Sequence, residues 1–376
     1  MRAGDGAEAE LQPSGFAGAT PAIRLGGGVL ARLRRRTTSG QFIAEIDSLR
    51  FFAIAMVVAY HLADFVAESD RRAHLANAGR GWFYELASYG HYGVQLFFMI
   101  SGFVIALPFA RYYLADEQRV RLKAYFLRRL TRLEPPYVLA MIAFALILAA
   151  RHRYPPEVVG RHLGASLLYL HSVIYAQRSL IDTVAWSLEI EVQFYCLAPL
   201  LATLFAIRPA LLRRSIMVAL LVVTAFLVAP NTAGRWRLTL AAFLQFFFVG
   251  FLVADLYVTE WRRQPRAPWW WRGPQAILGH PWLATIGGMC YTIYLVHFPF
   301  LSFLGHLTLP IAQHTTPLLH LAAQALLIVP PLLIVSSVYF MLVERPCMDR
   351  RWPQTLRDRV LGLRSSAELA PSEGAR

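Results

Sequence analysis

The sequence predicts an all-α protein that crosses a membrane several times. Of its 376 residues, 56% are hydrophobic and only 16% are charged, and the mean hydropathy is +0.43. This balance is typical of polytopic membrane proteins and unlike that of soluble domains. Apolar segments follow one another almost without interruption from residue 47 to residue 343, which indicates one membrane domain with short tails.

Segment length predicts how many times the chain crosses the membrane. A helix needs about 20 apolar residues to cross the hydrocarbon core. The strong segments are 47–66, 86–110, 136–150, 184–206, 215–229, 237–258, 283–305 and 317–343. A short segment at 163–176 and a Trp-rich, Pro-broken one at 268–282 are weaker, and the latter is typical of a membrane interface. We therefore expect a helix bundle with eight to ten transmembrane helices.

The net charge of +14 would suggest nucleic-acid binding in a soluble protein. Here the arginines lie between apolar segments, where the positive-inside rule explains them, and we expect no nucleic-acid partner. The basic clusters are at 24–36, 111–132, 208–214, 260–272 and 345–351. All five lie inside the cell if the strong segments cross and the weak ones do not. This arrangement predicts that both termini are cytoplasmic.

The domain organisation follows from these segments. We expect a flexible basic cytoplasmic tail at 1–44, a transmembrane domain at 45–346 and a polar cytoplasmic tail at 347–376. The three cysteines lie far apart, without metal or disulfide spacing, so we expect no metal. No internal repeat is visible, which disfavours a transporter built from inverted repeats. The oligomeric state stays open.

The segment LRFFAIAMVVAYH at 49–61 is apolar except for Arg50 and His61. Eleven residues make about 1100° of helix and a rise of about 16 Å, so the two side chains share one face. Asp47 lies one turn before Arg50. Taken alone, the pair favours an interfacial anchor and a histidine near the far interface. The alternative is a catalytic imidazole within the membrane, with Arg50 holding an anion that enters from the cytoplasm.

The segment WSLEIEVQFY at 186–195 places Glu189, Glu191 and Gln193 inside a predicted span. Carboxylates are costly within a membrane and need partners, for which Arg50 and His61 are the obvious choices. An arginine that pairs with Glu191 to lock the bundle is an equally good interpretation.

Three further segments carry weaker signals. GVQLFFMISGFVI contains Ser101 in a small-residue pair, which by itself favours helix packing. YTIYLVHFPF contains His297, which alone is most simply a core histidine. YFLRRLTRLEPPY is expected to be a cytoplasmic basic stretch closed by Pro-Pro. Its Arg128, Arg129 and Arg132 share one helical side and suit either lipid headgroups or the phosphates of a nucleotide-bearing donor.

In this order, the segments resemble the membrane-bound acyltransferase-3 family, the bacterial O-acyltransferases of cell-surface sugars. The resemblance extends from about Glu45 to Pro346. Its most specific part is the Arg-x10-His motif formed by Arg50 and His61 and introduced by IDSLR. The supporting segments are LFFMISGF, LRRLTRLEPPY, WSLEIEVQFY, YTIYLVHFP and VERP. The sequence departs from the family pattern at Gln95, Val192 and Cys290.

The resemblance implies transfer of an acyl group, usually acetyl, from cytoplasmic acyl-CoA to a hydroxyl of an extracytoplasmic or lipid-linked glycan. It implies a multi-pass protein of the bacterial cytoplasmic membrane. His61 matches the catalytic residue and Glu191 an acidic position, so both are predicted to be catalytic. The predicted acyl-CoA and substrate contacts are Asp47, Arg50, Ser101, Arg128, Arg129, Arg132, Gln193, Tyr195 and His297.

Two chemical schemes fit His61. As a neutral imidazole it takes the proton of the attacking hydroxyl, or it is transiently acylated and passes the group on. Two other classes of protein also stay open. A transporter or flippase would use intramembrane Arg, His and Glu as a relay, and a non-catalytic scaffold would not need His61.

Overall fold

The computed structural model describes residues 32–35, 43–75, 78–261 and 272–349, together with Trp352 and Arg357. All regular secondary structure in this part of the chain is helical. The helices are α1 Ala44–Arg72, α2 Trp82–Ser88, α3 Tyr92–Ala115, α4 Leu122–Ala150, α5 Pro156–Leu167, α6 His171–Tyr175, α7 Trp186–Leu201, α8 Ala210–Val223, α9 Leu240–Thr259, α10 Arg272–Leu278, α11 Pro281–Gly288, α12 Cys290–Thr308, α13 Pro317–Tyr339 and α14 Arg345–Cys347.

In the described residues, eight helical segments are long and apolar enough to cross a membrane. They contain α1, α2 with α3, α4, α7, α8, α9, α12 and α13 with α14. Each coincides with one of the eight strong segments of the sequence, which confirms the polytopic helix bundle. The weak segment at 163–176 forms parts of short helices instead. The predicted tails at 1–44 and 347–376 lie largely outside the described residues.

Helix α1 carries Arg50 and His61 and has one exposed face, which includes Phe52. Its first turn contains Glu45 and Asp47 and its last turn Arg71, charges that complement the helix dipole at each end. Helices α3, α11, α12 and α13 all pack against it. Arg50 and His61, the candidate site residues of α1, therefore have protein on several sides.

Helices α3 and α9 form the closest pair in the bundle, because small residues lie where their backbones meet. A Cβ at Gly102 would lie 2.5 Å from the carbonyl oxygen of Phe247, and one at Gly250 would meet the carbonyl of Met99. This confirms that the small residues of the second strong segment serve helix packing. It also fixes the neighbouring Ser101 at the interface.

Helix α4 contradicts the prediction that Pro-Pro ends the basic stretch at 125–137. The helix continues through Pro135 and Pro136, although each proline removes one backbone donor. Neighbouring tyrosines bind carbonyls at this place: Tyr291 donates to the oxygen of Leu133 over 2.9 Å, and Tyr339 to that of Pro136 over 2.6 Å. They do not replace the donors that the prolines remove, which would bond the carbonyls four residues earlier, but they attach this part of α4 to its neighbours. The arginines before the prolines therefore lie on the first turns of a spanning helix.

The start of α1, the start of α4 and the end of α13 meet at one end of the bundle, which we call the basic end. Ion pairs join Arg35 to Asp47 and Arg132 to Glu344 there. Because successive spans alternate in direction, the basic clusters at 111–132 and 208–214 lie at this end too. The connection between α4 and α7 lies at the opposite end.

Candidate active site

At the basic end, Asp47 lies between two guanidinium groups. Its side chain is 1% exposed, its Oδ1 accepts from Nη1 of Arg50 over 2.5 Å, and its Oδ2 lies 3.6 Å from Nε of Arg35. Helix α11 holds this point in place, since a Cβ at Gly287 would overlap the carbonyl oxygen of Asp47. The predicted proximity of Asp47 and Arg50 is confirmed.

A second ion pair completes the basic end. Glu344 is fully buried; Thr292 donates to its Oε2 over 2.5 Å, and Nη2 of Arg132 lies 3.7 Å from its Oε1. Together with the first group, three guanidiniums face two carboxylates. Burial, and next the charge of Arg50, lower the pKa of Arg35 to about 9. Excess positive charge held in a buried place favours binding of a further anion, and guanidinium suits phosphate.

Several predicted residues meet around Glu191 on α7. Ser101 donates to Oε1 of Glu191 over 2.6 Å, and the hydroxyl of Tyr195 donates to the same oxygen. The guanidinium carbon of Arg129 lies 5.4 Å from the ring centroid of Tyr195 and 3.8 Å from that of Tyr125. The carboxylate is thus held by two hydroxyl groups, with a cation nearby across an aromatic ring.

His61 contacts aromatic and imidazole rings. Its ring centroid lies 5.3 Å from that of His297, 5.2 Å from that of Phe298 and 4.9 Å from that of Tyr60. Glu191 accepts hydrogen bonds from Ser101 and from its own helix, and not from His61, the partner that the sequence suggests. The structure pairs His61 with His297. The sequence predicts His297 as a site residue but does not predict this contact.

The hydrogen bonds of His297 define its tautomer. The residue is fully buried, and its Nδ1 lies 2.6 Å from the carbonyl oxygen of Tyr294. Since a carbonyl oxygen only accepts, Nδ1 carries the proton and Nε2 offers a lone pair. Nε2 is buried and has no hydrogen-bond partner in the described part of the chain. His297 therefore places a free acceptor in the group that includes His61.

A polar connection leads from His297 towards the opposite end. The rings of Tyr294 and His297 lie 5.4 Å apart. The hydroxyl of Tyr294 donates to the carbonyl of Val184 over 3.1 Å and lies 2.6 Å from Oγ of Ser187. Ser187 lies in the first turn of α7, and Val184 lies near the end of the segment before it. Polar groups therefore continue from the middle of the bundle to the end away from Arg50.

Two other predicted contacts lie in different surroundings. Oε1 of Gln193 accepts from the backbone N–H of Leu240 over 2.8 Å, so this side chain caps the start of α9. Arg128 is exposed on α4, whereas Arg129 and Arg132 turn to different partners. Successive residues of a helix point about 100° apart, so Arg128 and Arg129 face different directions and the three arginines do not form one clamp.

The sequence also missed members of the site. Arg35 belongs to a basic run that the sequence places in the N-terminal tail. Its ion pair with Asp47 is what assigns it to the site. Glu344 belongs to the VERP segment, where the sequence indicates only a charged residue at the end of a span. Its burial and its pair with Arg132 depend on packing between distant helices. No group of three or more possible metal ligands occurs among the described residues.

In the described residues, a bundle of eight apolar spans encloses arginines, carboxylates and a histidine pair, which defines a multi-pass membrane protein with a candidate site among its spans. The family model described as an acyltransferase domain matches residues 43–278, more than half of the chain. The chain belongs to the acyltransferase-3 family. Arg50, His61 and Glu191 lie within the matched residues, whereas His297 and Glu344 lie beyond them.

Two curated proteins illustrate the similarity. O-acetyltransferase OatA of Staphylococcus aureus is 30% identical over 181 residues, which cover 44% of this chain and 25% of that protein. Peptidoglycan O-acetyltransferase OatA of Listeria monocytogenes is 27% identical over 186 residues, which cover 46% of this chain and 26% of that protein. The matched part spans about a quarter of each relative. No solved structure shows significant similarity to the chain.

Proposed function

We propose that the chain is an integral-membrane O-acyltransferase of the bacterial cytoplasmic membrane. It would move an acyl group, acetyl in the first instance, from cytoplasmic acyl-CoA to a hydroxyl of a cell-wall or lipid-linked glycan. The observation that carries the proposal is the contact of His61 with the tautomerically fixed His297 inside a membrane bundle. The names of the two relatives support an acetyl group and a glycan acceptor.

The basic end suits the donor. Coenzyme A carries several phosphates at one end of a long arm and the thioester at the other. Arg50, Arg35 and Arg132 would bind those phosphates, and Arg129 would assist from beside Tyr195. His61 lies about 16 Å further along α1, a spacing that suits an extended arm reaching from the phosphates to the reacting carbonyl.

The histidine pair suits the chemistry. In the first scheme His61 takes the proton of the attacking hydroxyl, and the free Nε2 of His297 accepts a hydrogen bond from the hydroxyl or from His61. In the second, a ring nitrogen of His61 attacks the thioester and coenzyme A leaves as its thiol, and the acceptor hydroxyl then takes the acyl group from the acyl-imidazole and frees His61. Rapid acid quenching after mixing with radiolabelled acyl-CoA separates the schemes, because only the second leaves label on the protein.

Glu191 would act beside this centre. Ser101 and Tyr195 fix its carboxylate by hydrogen bonds, and Arg50 lies within its electrostatic reach. We propose that it stabilises positive charge that develops on the histidine pair, while Ser101 and Tyr195 orient it. Gln193 would contribute to the site through the start of α9 that it caps.

Topology completes the proposal. The excess of arginine at the basic end supports a cytoplasmic location for that end and for the tails at 1–44 and 347–376. Exposed Arg128 would meet lipid headgroups. The domain at 45–346 would then carry the whole reaction, with the acceptor entering from the end where α4 leads into α7.

The acyl-ester content of surface glycans tests the proposal. A deletion strain would be complemented with wild type, His61→Ala or Arg50→Ala, each checked for its level in the membrane. We expect wild type to restore the ester and both variants to fail, as measured by mass spectrometry. Full restoration by His61→Ala contradicts the enzyme and favours a scaffold. Transport of a glycan without any dependence on acyl-CoA favours a flippase.

A further inference from the structure

The segment between α6 and α7 carries an exposed arginine close to the proposed reaction centre. Arg178 lies at the end of the bundle opposite the basic end and is exposed. Its guanidinium carbon is 5.9 Å from the ring centroid of Trp186, the first residue of α7. Its charge acts on both His61 and Tyr294. Arg178 is therefore a cation at the outer end of the series of polar groups that leads to His297.

Nothing described at this end neutralises the charge. No hydrogen bond or ion pair joins Arg178 to another of the described residues. The acid of the same segment is Asp182, which is 1% exposed and accepts only from the backbone N–H of Val184. Burial raises the pKa of Asp182 to about 8, so this carboxyl is mostly protonated at neutral pH. Arg178 thus keeps a full positive charge available to a ligand.

We propose that Arg178 binds an oxyanion, a carboxylate or a phosphate, on the acceptor saccharide and so positions the attacking hydroxyl beside the histidine pair. The inference rests on the proposed acyltransferase function and names the class of acceptor that this function left open. A guanidinium pairs with a planar carboxylate or a phosphate through two parallel hydrogen bonds. The neighbouring indole of Trp186 offers an apolar face on which a sugar ring packs. Arg178 is a positioning residue and takes no part in bond making.

Arg153 provides a matched control. It lies at the same end of the bundle and is also exposed, and its guanidinium carbon is also 5.9 Å from a neighbouring ring centroid, that of Tyr154. Unlike Arg178, it is not among the charges that act on His61. A role in meeting lipid headgroups would affect both arginines alike, whereas a role at the reaction site concerns Arg178 alone.

The test compares acceptors that differ in a single charge. Wild type, Arg178→Gln, Arg178→Lys and Arg153→Gln would be assayed in membranes with acetyl-CoA. The acceptors are one saccharide with a carboxylate, with the same carboxylate converted to a primary amide, and with a phosphate monoester. We expect wild type to prefer an oxyanion over the amide by about tenfold in kcat/KM, mainly through KM. Arg178→Gln should lose that preference, Arg178→Lys should keep part of it, and Arg153→Gln should match wild type.

Each outcome decides the matter. Equal use of all three acceptors by wild type, or an unchanged preference in Arg178→Gln, overturns the role of Arg178 and leaves the acyltransferase intact. An equal loss in Arg178→Gln and Arg153→Gln points to lipid headgroups and also overturns it. If wild type acetylates none of the acceptors in membranes and also adds no ester to surface glycans in cells, the proposed function itself is overturned. A preference for the carboxylate or for the phosphate identifies which oxyanion the acceptor carries.

Discussion

The two ends of the bundle stabilise their buried polar groups in different ways. At the basic end, carboxylates pair with guanidiniums, as Asp47 does with Arg35 and Arg50. At the opposite end, Asp70 pairs with His320 in a similar way, but the buried groups between α4 and α7 have no charged partner. Nδ1 of His162 lies 2.7 Å from Nε2 of His171, so one ring donates its N–H to the other.

The pKa values outside the spans express the same difference. Burial, and next the neighbouring ring of His162, lower the pKa of His171 to about 4. Burial raises the pKa of Asp182 to about 8. Both side chains are therefore neutral near pH 7, whereas Arg35 keeps its charge at the basic end. The contrast matches the proposed chemistry, because acyl-CoA is polyanionic, whereas the acceptor reacts through a neutral hydroxyl and its proposed oxyanion is bound by exposed Arg178 rather than by a buried group.

The largest expected effect comes from the residue that lies between the two ends. His61→Ala removes the proposed base or acyl carrier and should lower kcat by about 10²- to 10⁴-fold. Acetyl transfer from acetyl-CoA, measured in membranes, checks this value. His306→Ala is the matched control, since His306 also packs against an aromatic ring, with 5.6 Å between its centroid and that of Phe65. Comparable losses in the two variants would mean that packing, rather than chemistry, explains the result.

The second expected effect is confined to the basic end. Arg50→Gln leaves Asp47 only one guanidinium partner and removes a proposed phosphate contact. Loss of a buried charge partner typically costs about 2 kcal/mol or more, so KM for acetyl-CoA should rise about thirtyfold. Acetyl-pantetheine lacks the nucleotide phosphates, and with it wild type and variant should differ little. Arg119→Gln, an exposed arginine at the same end, is the control. An equal deficit with both donors would remove the basic end from donor binding.

The third effect tests the histidine contact itself. His297→Asn keeps a donor for the carbonyl of Tyr294 but lacks the free Nε2. We expect kcat to fall about tenfold, since one hydrogen bond to a developing charge is lost. Because the two histidines act as one unit, the double variant with His61→Ala should be no worse than His61→Ala alone. Fully additive losses would show that the rings act independently.

The smallest effect concerns stability at the opposite end. Because the folded pKa of Asp182 is raised, the folded state holds more protons than the unfolded one between about pH 4 and pH 8. Wild-type stability should therefore fall as pH rises through this range, and Asp182→Asn should remove part of the fall. Thermal unfolding in detergent at pH 5 and pH 8 measures this difference. We expect the melting temperature of Asp182→Asn to exceed that of wild type by a few degrees at pH 8 only. A variant less stable than wild type at pH 8 would contradict the neutral carboxyl.

Much of this architecture could be predicted from the sequence. Segment length and hydropathy located all eight spans, because a membrane helix must satisfy its own backbone and cover about 30 Å of hydrocarbon. Helical spacing alone placed Asp47 beside Arg50. The continuation of α4 through Pro135 and Pro136 could not be predicted, since the tyrosines that attach this part of the helix come from two other helices.

The composition of the site was harder to predict than the spans. The polar residues of each span were visible as exceptions to an apolar background, but their partners were not. Whether Glu191 turns to Ser101 or to His61 depends on the rotation of α7 against α3 and α1. The contact of His61 with His297 depends on how α1 and α12 pack, and no local pattern encodes it.

The central claim is that His61 joins a donor at the basic end to an acceptor at the other. Proteoliposomes with a single orientation, carrying labelled acetyl-CoA on the basic side and the acceptor saccharide on the other, test it most directly. Wild type should produce labelled acceptor, and His61→Ala should produce none above background. Labelling that requires donor and acceptor on the same side, or that persists in His61→Ala, would contradict it.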